Sequence, residues 1–308
     1  MEKRMLFVFN PRAGKGQIKQ HLMDIVDIFV KHGWEVIIYP TQRARDAYEQ
    51  ARKYANRVDM IVCSGGDGTL DEVVSGINEV NDSLPIGYIP AGSTNDFANS
   101  LFIPKNMLKA AQIIMEGHIY RCDIGKFNDA IFAYVAAFGL FTDVSYKTDQ
   151  DLKNVLGHVA YVLEGVKRIF DIKSIHMRVE TEDTVYEEDF IYGMISNSRS
   201  VGGFKHLTGK NVDMNDGLFE VTLIKKPKNP LEMQEIVTAL LTQEDNTDMI
   251  YSFKASCLKI ESDVPTPWTL DGEYGGRPDH VVIQNCHRAL NICLKSKETK
   301  KLSTRKTT

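Results

Sequence analysis

Over its first 128 residues the chain alternates short apolar runs with segments of helical spacing, and this alternation restricts the fold more than any other feature. Met5–Phe9 is a compact apolar run that stops at Asn10-Pro11. Gln17–Lys31 follows, with Ile18, Leu22, Ile25, Val26 and Phe29 at the spacing of one helix face. Strands are then expected over Glu35–Tyr39, Met60–Cys63 and Pro85–Ile89, and helices over Asp46–Asn56, Leu70–Val80 and Met107–Glu116. Strand–helix alternation with short Gly/Pro connections specifies a parallel sheet covered by helices, with ligands held by the loops at the carboxyl ends of the strands.

The pattern changes near Asn128. Ala130–Phe138 reads as a strand and Val155–Phe170 as one long helix. Strand patterns follow at Ile175–Glu180, Asp189–Ser196, Leu218–Ile224, Phe253–Glu261, Thr266–Leu270, Val281–Gln284 and Ala289–Leu294, interrupted by a helix at Pro230–Leu241. Many short strands separated by turn residues indicate an antiparallel sandwich. The expected fold class is therefore α/β: a parallel-sheet domain over residues 1–128, then a largely antiparallel β-sandwich domain over residues 129–287. The active site is expected in the cleft between them.

Composition narrows the class. A length of 308 residues suits two domains, and 43 % apolar with 25 % charged residues is the balance of a globular protein. A net charge of −4 argues against nucleic acid as a partner. The five cysteines (Cys63, Cys122, Cys257, Cys286, Cys293) show neither zinc-site nor redox-pair spacing and read as reduced thiols of a cytoplasmic protein. No apolar run approaches the ~20 residues of a spanning helix, so membrane contact is expected to be peripheral.

The strongest chemical signal is Ser64-Gly65-Gly66-Asp67-Gly68-Thr69, directly after the strand DMIVC. Three glycines let the backbone approach a ligand closely and turn consecutive N–H groups toward phosphate oxygens, with a helix N-terminus behind them. Asp67 among those glycines suits a metal or a hydroxyl. The competing reading is a tight turn whose Thr69 and Glu72 form a capping box. Two further loops end strands: Asn10-Pro11-Arg12-Ala13-Gly14-Lys15-Gly16, which lacks the Walker spacing, and Pro90-Ala91-Gly92-Ser93-Thr94-Asn95-Asp96-Phe97-Ala98. Three such loops at successive strand ends converge on one crevice, which points to a nucleotide. Later, Leu270-Asp271-Gly272-Glu273 sets two carboxylates around a glycine, suited to a general base or a magnesium ligand; a solvated Asp-Gly turn is the alternative. Val212-Asp213-Met214-Asn215-Asp216-Gly217-Leu218 fails the EF-hand pattern, because Ile224 stands where the last Glu is required, yet it retains oxygen donors for a hard cation.

Taken in order, N-P-x-x-G, G-G-D-G-T, G-S-T-N-D-F-A and L-D-G-E resemble the diacylglycerol-kinase catalytic family, whose relatives include sphingosine and ceramide kinases, and the resemblance runs over nearly the whole chain. It implies Mg²⁺-dependent transfer from ATP to the hydroxyl of diacylglycerol or a related lipid alcohol. ATP would lie on Asn10, Pro11, Arg12, Ala13, Gly14 and Thr41, and on the run Gly65, Gly66, Asp67, Gly68, Thr69, Leu70, Asp71 and Glu72. Ser93 and Asn95 would lie near the phosphates. Glu273 would accept the proton with Asp271 beside it, and Asp67 would complete the catalytic group. Asp213, Asp216 and the carbonyl of Leu218 would hold a structural Mg²⁺, linked through water to Asp96 and Asp123. Residues from 288 to 308 would rejoin the first domain. The chain departs from the family's usual pattern at Ser93 (usually Thr), Asp71 (often Asn) and Asn99 (often Arg), and the last two bear on how the triphosphate is held.

Two other classes compete. NAD kinases also pair a G-G-D-G-T loop with a β-rich second domain, whereas the N-P-x-x-G start and L-D-G-E favour the lipid kinase. An inactive nucleotide- or lipid-binding regulator would not need Asp67, Asp271 and Glu273 together. A bilayer acceptor implies reversible adsorption, for which Lys295, Lys297, Lys300, Lys301, Arg305 and Lys306 against the single acid Glu298 are suited; a solvated tail is the alternative reading. The oligomeric state is not set by the residues, and a homodimer is left open.

Overall fold

A computed structural model describes residues 3–140, 173–201, 212–242 and 247–295. The helix expected at Val155–Phe170 and the basic tail beyond Lys295 lie outside the described residues. The chain divides into two compact units, Met1–Ile124 with His287–Thr308, and Gly125–Cys286.

The first unit contains β1 (Lys3–Phe9), α1 (Ile18–Lys31), β2 (Trp34–Pro40), α2 (Asp46–Tyr54), β3 (Met60–Gly65), α3 (Asp67–Asn78), β4 (Ile86–Pro90), α4 (Asp96–Ser100) and α5 (Met107–Glu116). Its strands run parallel in the order β4-β3-β1-β2. Met5, Leu6, Phe7 and Val8 are wholly buried, as a strand covered on both faces requires. α1 turns Ile18, Ile25 and Phe29 inward, and Phe29 meets Phe7 edge-on at 5.6 Å. Because the strands are parallel, β1, β3 and β4 deliver their carboxyl-end loops to one edge.

The chain passes between the units within β5 (His118–Phe127) and again within β15 (His280–Leu294). The second unit adds β6 (Ala130–Phe132), β7 (Val135–Gly139), β8 (Ile175–Glu180), β9 (Val185–Ser196), β10 (Phe219–Lys225), α6 (Pro230–Thr242), β11 (Ile250–Ala255), β12 (Cys257–Ser262), β13 (Trp268–Leu270) and β14 (Glu273–Tyr274). Pairing among β7 to β14 is antiparallel, forming a β-sandwich. Its core is aromatic: Trp268 lies 5.0 Å from Phe127 and 4.9 Å from Phe138, and Phe132 stacks on Phe219 at 5.6 Å. In the first unit the end of β15 lies beside β4, with Ile292 opposite Ile86.

Several boundaries differ from the sequence expectation, and four of them bear on the site or on the connectivity of the strands. The strand expected over Ala130–Phe138 is two strands, because the amides of Ala133, Tyr134 and Val135 turn to the Asp271 carboxylate. The strand expected over Phe253–Glu261 breaks at Ser256, where the chain leaves β10 as its partner and takes up β8 and β15. The two strands expected at Val281–Gln284 and Ala289–Leu294 are one, continuous through the polar residues between them; there the Arg288 amide donates to buried Asp123 at 2.7 Å. The helix expected to start at Leu70 starts at Asp67. β5 and α4 were not expected: Arg121, Asp123 and Lys126 dilute the apolar pattern of the first, and the second is only five residues long.

Candidate functional site

The three strand-end loops of the first unit press backbone against backbone, and glycine makes this possible. A Cβ on Gly14 (φ +52°) would lie 1.9 Å from the carbonyl oxygen of Ala91, and one on Gly92 would lie 2.6 Å from Cα of Gly66. The first loop thus touches the third, and the third touches the second. Main-chain hydrogen bonds tie the same edge: the Asn10 amide to Ser64 O at 2.9 Å, the Ala91 amide to Gly65 O at 2.8 Å, and the Thr41 amide to Phe9 O at 2.9 Å. Tyr88, buried, donates its hydroxyl to Gly65 O at 3.2 Å, and burial holds that phenol well above its ordinary pKa. Asn10, Pro11, Arg12, Ala13, Gly14, Thr41, Gly65, Gly66, Gly68, Thr69 and Ser93 therefore lie on connected loops at one edge. Cys63, at the end of the same strand, is pushed up by burial and offers no thiolate.

Several side chains assigned to the nucleotide from sequence have protein partners. Asp67 is buried in the first turn of α3 and accepts from the amides of Asp96 at 3.0 Å and Phe97 at 3.3 Å and from the Thr94 hydroxyl at 3.3 Å. It caps α4 and locks the second loop to the third. The amide of Asn95 closes the third loop on itself, accepting from Gly92 N at 2.8 Å and donating to Gly92 O at 2.7 Å. Glu72 is not the partner of Thr69 in a capping box; its two oxygens accept from the amides of Arg45 at 2.8 Å and Ala47 at 3.1 Å and cap α2. Leu70 is a core side chain, 1 % exposed, so only its backbone is available to a ligand. Asp71 lies one residue further along α3 and is half-buried.

In the second unit the Leu270–Glu273 segment is a two-residue hairpin, and both Asp271 (φ +51°) and Gly272 (φ +87°) take the positive φ that a type I′ turn demands. The segment is thus an Asp-Gly turn, but Asp271 in it is buried rather than solvated. Asp271 is 5 % exposed, and its oxygens accept three backbone N–H groups: Ala133 at 2.5 Å, Tyr134 at 3.0 Å and Val135 at 2.9 Å. Glu273 differs sharply: its side chain is exposed, and among the described residues nothing hydrogen-bonds to it.

The acidic loop before β10 carries two local turns, with Asp213 Oδ1 accepting from Asn215 N at 3.3 Å and Asp216 Oδ1 from Leu218 N at 3.1 Å. Lys254, which the sequence reading did not single out, places Nζ 2.9 Å from Asp216 Oδ2 and 3.0 Å from Glu220 Oε1. The reason is cross-strand register, Glu220 opposite Lys254, which linear spacing does not display. Burial pushes the Glu220 carboxyl up to about 7 against the pull of Lys254, and no donor among the described residues reaches its buried Oε2. Among the described residues no cluster of three His, Cys, Asp or Glu side chains is arranged to chelate an ion. Asp213, Asp216 and the Leu218 carbonyl are oxygen donors of the kind a hydrated hard cation takes, on one short loop where Lys254 already pairs with Asp216.

A parallel sheet whose glycine loops meet at one edge, followed by an antiparallel sandwich, is the fold that solved diacylglycerol kinase and NAD kinase structures share. The diacylglycerol kinase catalytic domain model matches residues 4–127, and the model of a YegS C-terminal NAD kinase beta sandwich-like domain matches residues 135–293. The chain belongs to the diacylglycerol kinase family. It is 34 % identical over 280 residues to a diacylglycerol kinase of Staphylococcus saprophyticus, covering 90 % of this chain and 91 % of the relative. To a Staphylococcus aureus diacylglycerol kinase it is 35 % identical over 281 residues, covering 90 % and 88 %. A solved diacylglycerol kinase structure from Bacillus anthracis shares the fold with TM-score 0.74 at 22 % identity, covering 96 % and 98 % of the two chains. An NAD kinase of Archaeoglobus fulgidus, solved in complex with ATP, shares it more distantly, with TM-score 0.57 at 13 % identity and 98 % coverage of both.

Proposed function

We propose that the protein transfers the γ-phosphoryl group of ATP to the hydroxyl of diacylglycerol or a closely related lipid alcohol. The carrying observation is the contact of Gly14 with Ala91 and of Gly66 with Gly92, which joins three loops into one glycine-lined edge that a side chain at these positions would obstruct. The relatives named diacylglycerol kinase, matched over nine-tenths of the chain, supply the acceptor class.

Phosphoryl transfer demands positioning and charge stabilisation more than covalent help. Backbone N–H groups of the three loops, with the positive end of α3 behind them, would hold the phosphates. Asp67 and Asn95 would act through the loops they brace. The acceptor oxygen attacks the γ-phosphorus, the bond to the β–γ bridging oxygen breaks, ADP leaves, and Glu273 takes the hydroxyl proton. Asp213, Asp216 and the Leu218 carbonyl would hold a Mg²⁺ that supplies fixed positive charge and rigidity to the loop.

No described helix is long and apolar enough to cross a membrane. The lipid acceptor would be reached from the cytoplasm by peripheral adsorption, aided by the basic residues from Lys295 onward, each contributing about 1 kcal/mol near an anionic surface. Removing residues 295–308 should then weaken sedimentation with anionic vesicles at low salt and leave turnover on detergent-dispersed acceptor unchanged; equal sedimentation would remove the tail from the scheme.

A second reading has a specific observation behind it, the fold shared with the ATP-bound NAD kinase. One assay separates the two. Purified protein with labelled ATP is offered diacylglycerol, other lipid alcohols and NAD in parallel. Label in a lipid phosphate supports the proposal, and label in NADP replaces it.

A further inference from the structure

We infer that Asp271 is a positioning residue whose carboxylate fixes the hairpin that presents Glu273, and that it takes no proton in the reaction. Three consecutive amides, of Ala133, Tyr134 and Val135, converge on its two oxygens. The Asp271 amide returns a bond to Val135 O at 2.8 Å, and the Tyr134 hydroxyl reaches Asp271 O at 3.4 Å. The break between β6 and β7 exists to supply those amides. Next to this buried residue the turn passes through Gly272 and delivers Glu273, whose side chain is exposed and has no hydrogen-bond partner among the described residues. Protonating Asp271 would strip acceptors from three buried donors, whereas protonating Glu273 disturbs nothing described. A carboxylate in a nest of backbone N–H groups is an anchor, and an unrestrained one on the adjacent strand is available for proton transfer.

The inference deepens the lipid-kinase reading and rests on it for the meaning of activity; the clamp itself stands on the geometry. Displacement of a reacting group by about 1 Å costs on the order of 10²-fold. Asp271→Asn keeps Oδ1 for Tyr134 and Val135 but sets an amide donor against the Ala133 N–H. Gly272→Ala disturbs the same turn without touching a carboxylate: nothing lies within 4 Å of its added Cβ, so only the φ of +87° resists it. Asn tolerates this backbone region, so Gly272→Asn is the conservative rescue.

The experiment measures the pH profile of kcat/KM on dispersed diacylglycerol for wild type, Asp271→Asn, Gly272→Ala, Gly272→Asn and Glu273→Gln, with amide exchange at Ala133–Val135 in parallel. Asp271→Asn is expected to lower turnover about 10²-fold, leave the KM for ATP and the acidic-limb midpoint in place, and speed exchange of the three amides. Gly272→Ala is expected to lower turnover with the same midpoint, Gly272→Asn to recover most of it, and Glu273→Gln to lose the acidic limb. The inference is overturned if Asp271→Asn removes the acidic limb, if it turns over like wild type, or if the three amides exchange as before. If Asp271→Asn does not fold, loss of the acidic limb in Gly272→Ala overturns it equally. A wild type that phosphorylates no lipid alcohol defeats the lipid-kinase reading alone, and the exchange measurement still decides for or against the clamp.

Discussion

At the end of β3, in the α/β unit, Asp67 accepts from two amides of α4 and one hydroxyl; in the sandwich, Asp271 accepts from three amides between β6 and β7. Both are buried, both follow a strand, and both stand beside a glycine. Each joins two pieces of backbone that would otherwise leave donors unpaired. The regions differ in what is left exposed. In the α/β unit Gly14, Gly66 and Gly92 let the three loops pack backbone on backbone, which suits a passive phosphate cradle. On the hairpin the exposed group is a carboxylate, Glu273, which suits proton transfer. On the proposed reading, one region would bind through backbone packed by glycine, and the other would react through a carboxylate that has no side-chain partner among the described residues.

The largest expected effect breaks this comparison at its reactive end. Glu273→Gln should fold as wild type and lose 10²–10⁴-fold in transfer, about the worth of a general base; near-wild-type turnover would remove Glu273 from the chemistry. Next is the cradle. Gly92→Val would drive its Cβ toward Cα of Gly66, 2.6 Å away, and should cost roughly 1–3 kcal/mol of stability as overpacking. Calorimetry should also show ATP affinity falling at least tenfold, and unchanged affinity would put the nucleotide elsewhere.

A smaller effect is expected at Asp67. Asp67→Ala uncaps α4 and should lower stability by about 0.5–2 kcal/mol while raising the KM for ATP; a fall in kcat alone, with KM and melting temperature unchanged, would argue for direct participation instead. The smallest concerns a surface histidine of the sandwich. His176 Nδ1 lies 3.0 Å from Asp189 Oδ1, and this hydrogen bond, with Asp263 and Glu187 nearby, raises its pKa. The charged form is therefore favoured by folding, so its contribution is present below the ordinary value near 6.5 and lost as pH rises through the raised one. His176→Gln should flatten that stretch of the stability profile slightly and leave activity alone; an unchanged melting curve across that range would make the pair inert.

The first unit was legible because each strand and helix carries its own period, and each phosphate-loop candidate directly follows a strand. The sandwich was read less well where strands change partners: Ser256 and Ala133–Tyr134 break strands through contacts made far along the chain. β5 was missed because Asp123 is buried in it and interrupts the apolar alternation. At the site, glycine spacing announced the loops, but the work of each carboxylate was hidden. Asp67, Asp271 and Glu273 look alike in a string; only the partners of the first two, 29 and about 137 positions away, show them to be anchors. Lys254 and Glu220 escaped notice for the same reason, since strand register pairs them.

The division between anchoring and reacting carboxylates is tested most directly by one side-by-side measurement: single-turnover phosphoryl transfer to dispersed diacylglycerol, at saturating ATP, by Asp67→Asn, Asp271→Asn and Glu273→Gln. The three changes are nearly isosteric and each removes one negative charge. The expected order of loss is Glu273→Gln deepest, then Asp271→Asn, then Asp67→Asn, with only Glu273→Gln retaining wild-type melting temperature and only Asp67→Asn weakening ATP affinity. A folded, ATP-binding Asp271→Asn or Asp67→Asn that is at least as inactive as Glu273→Gln would contradict the division.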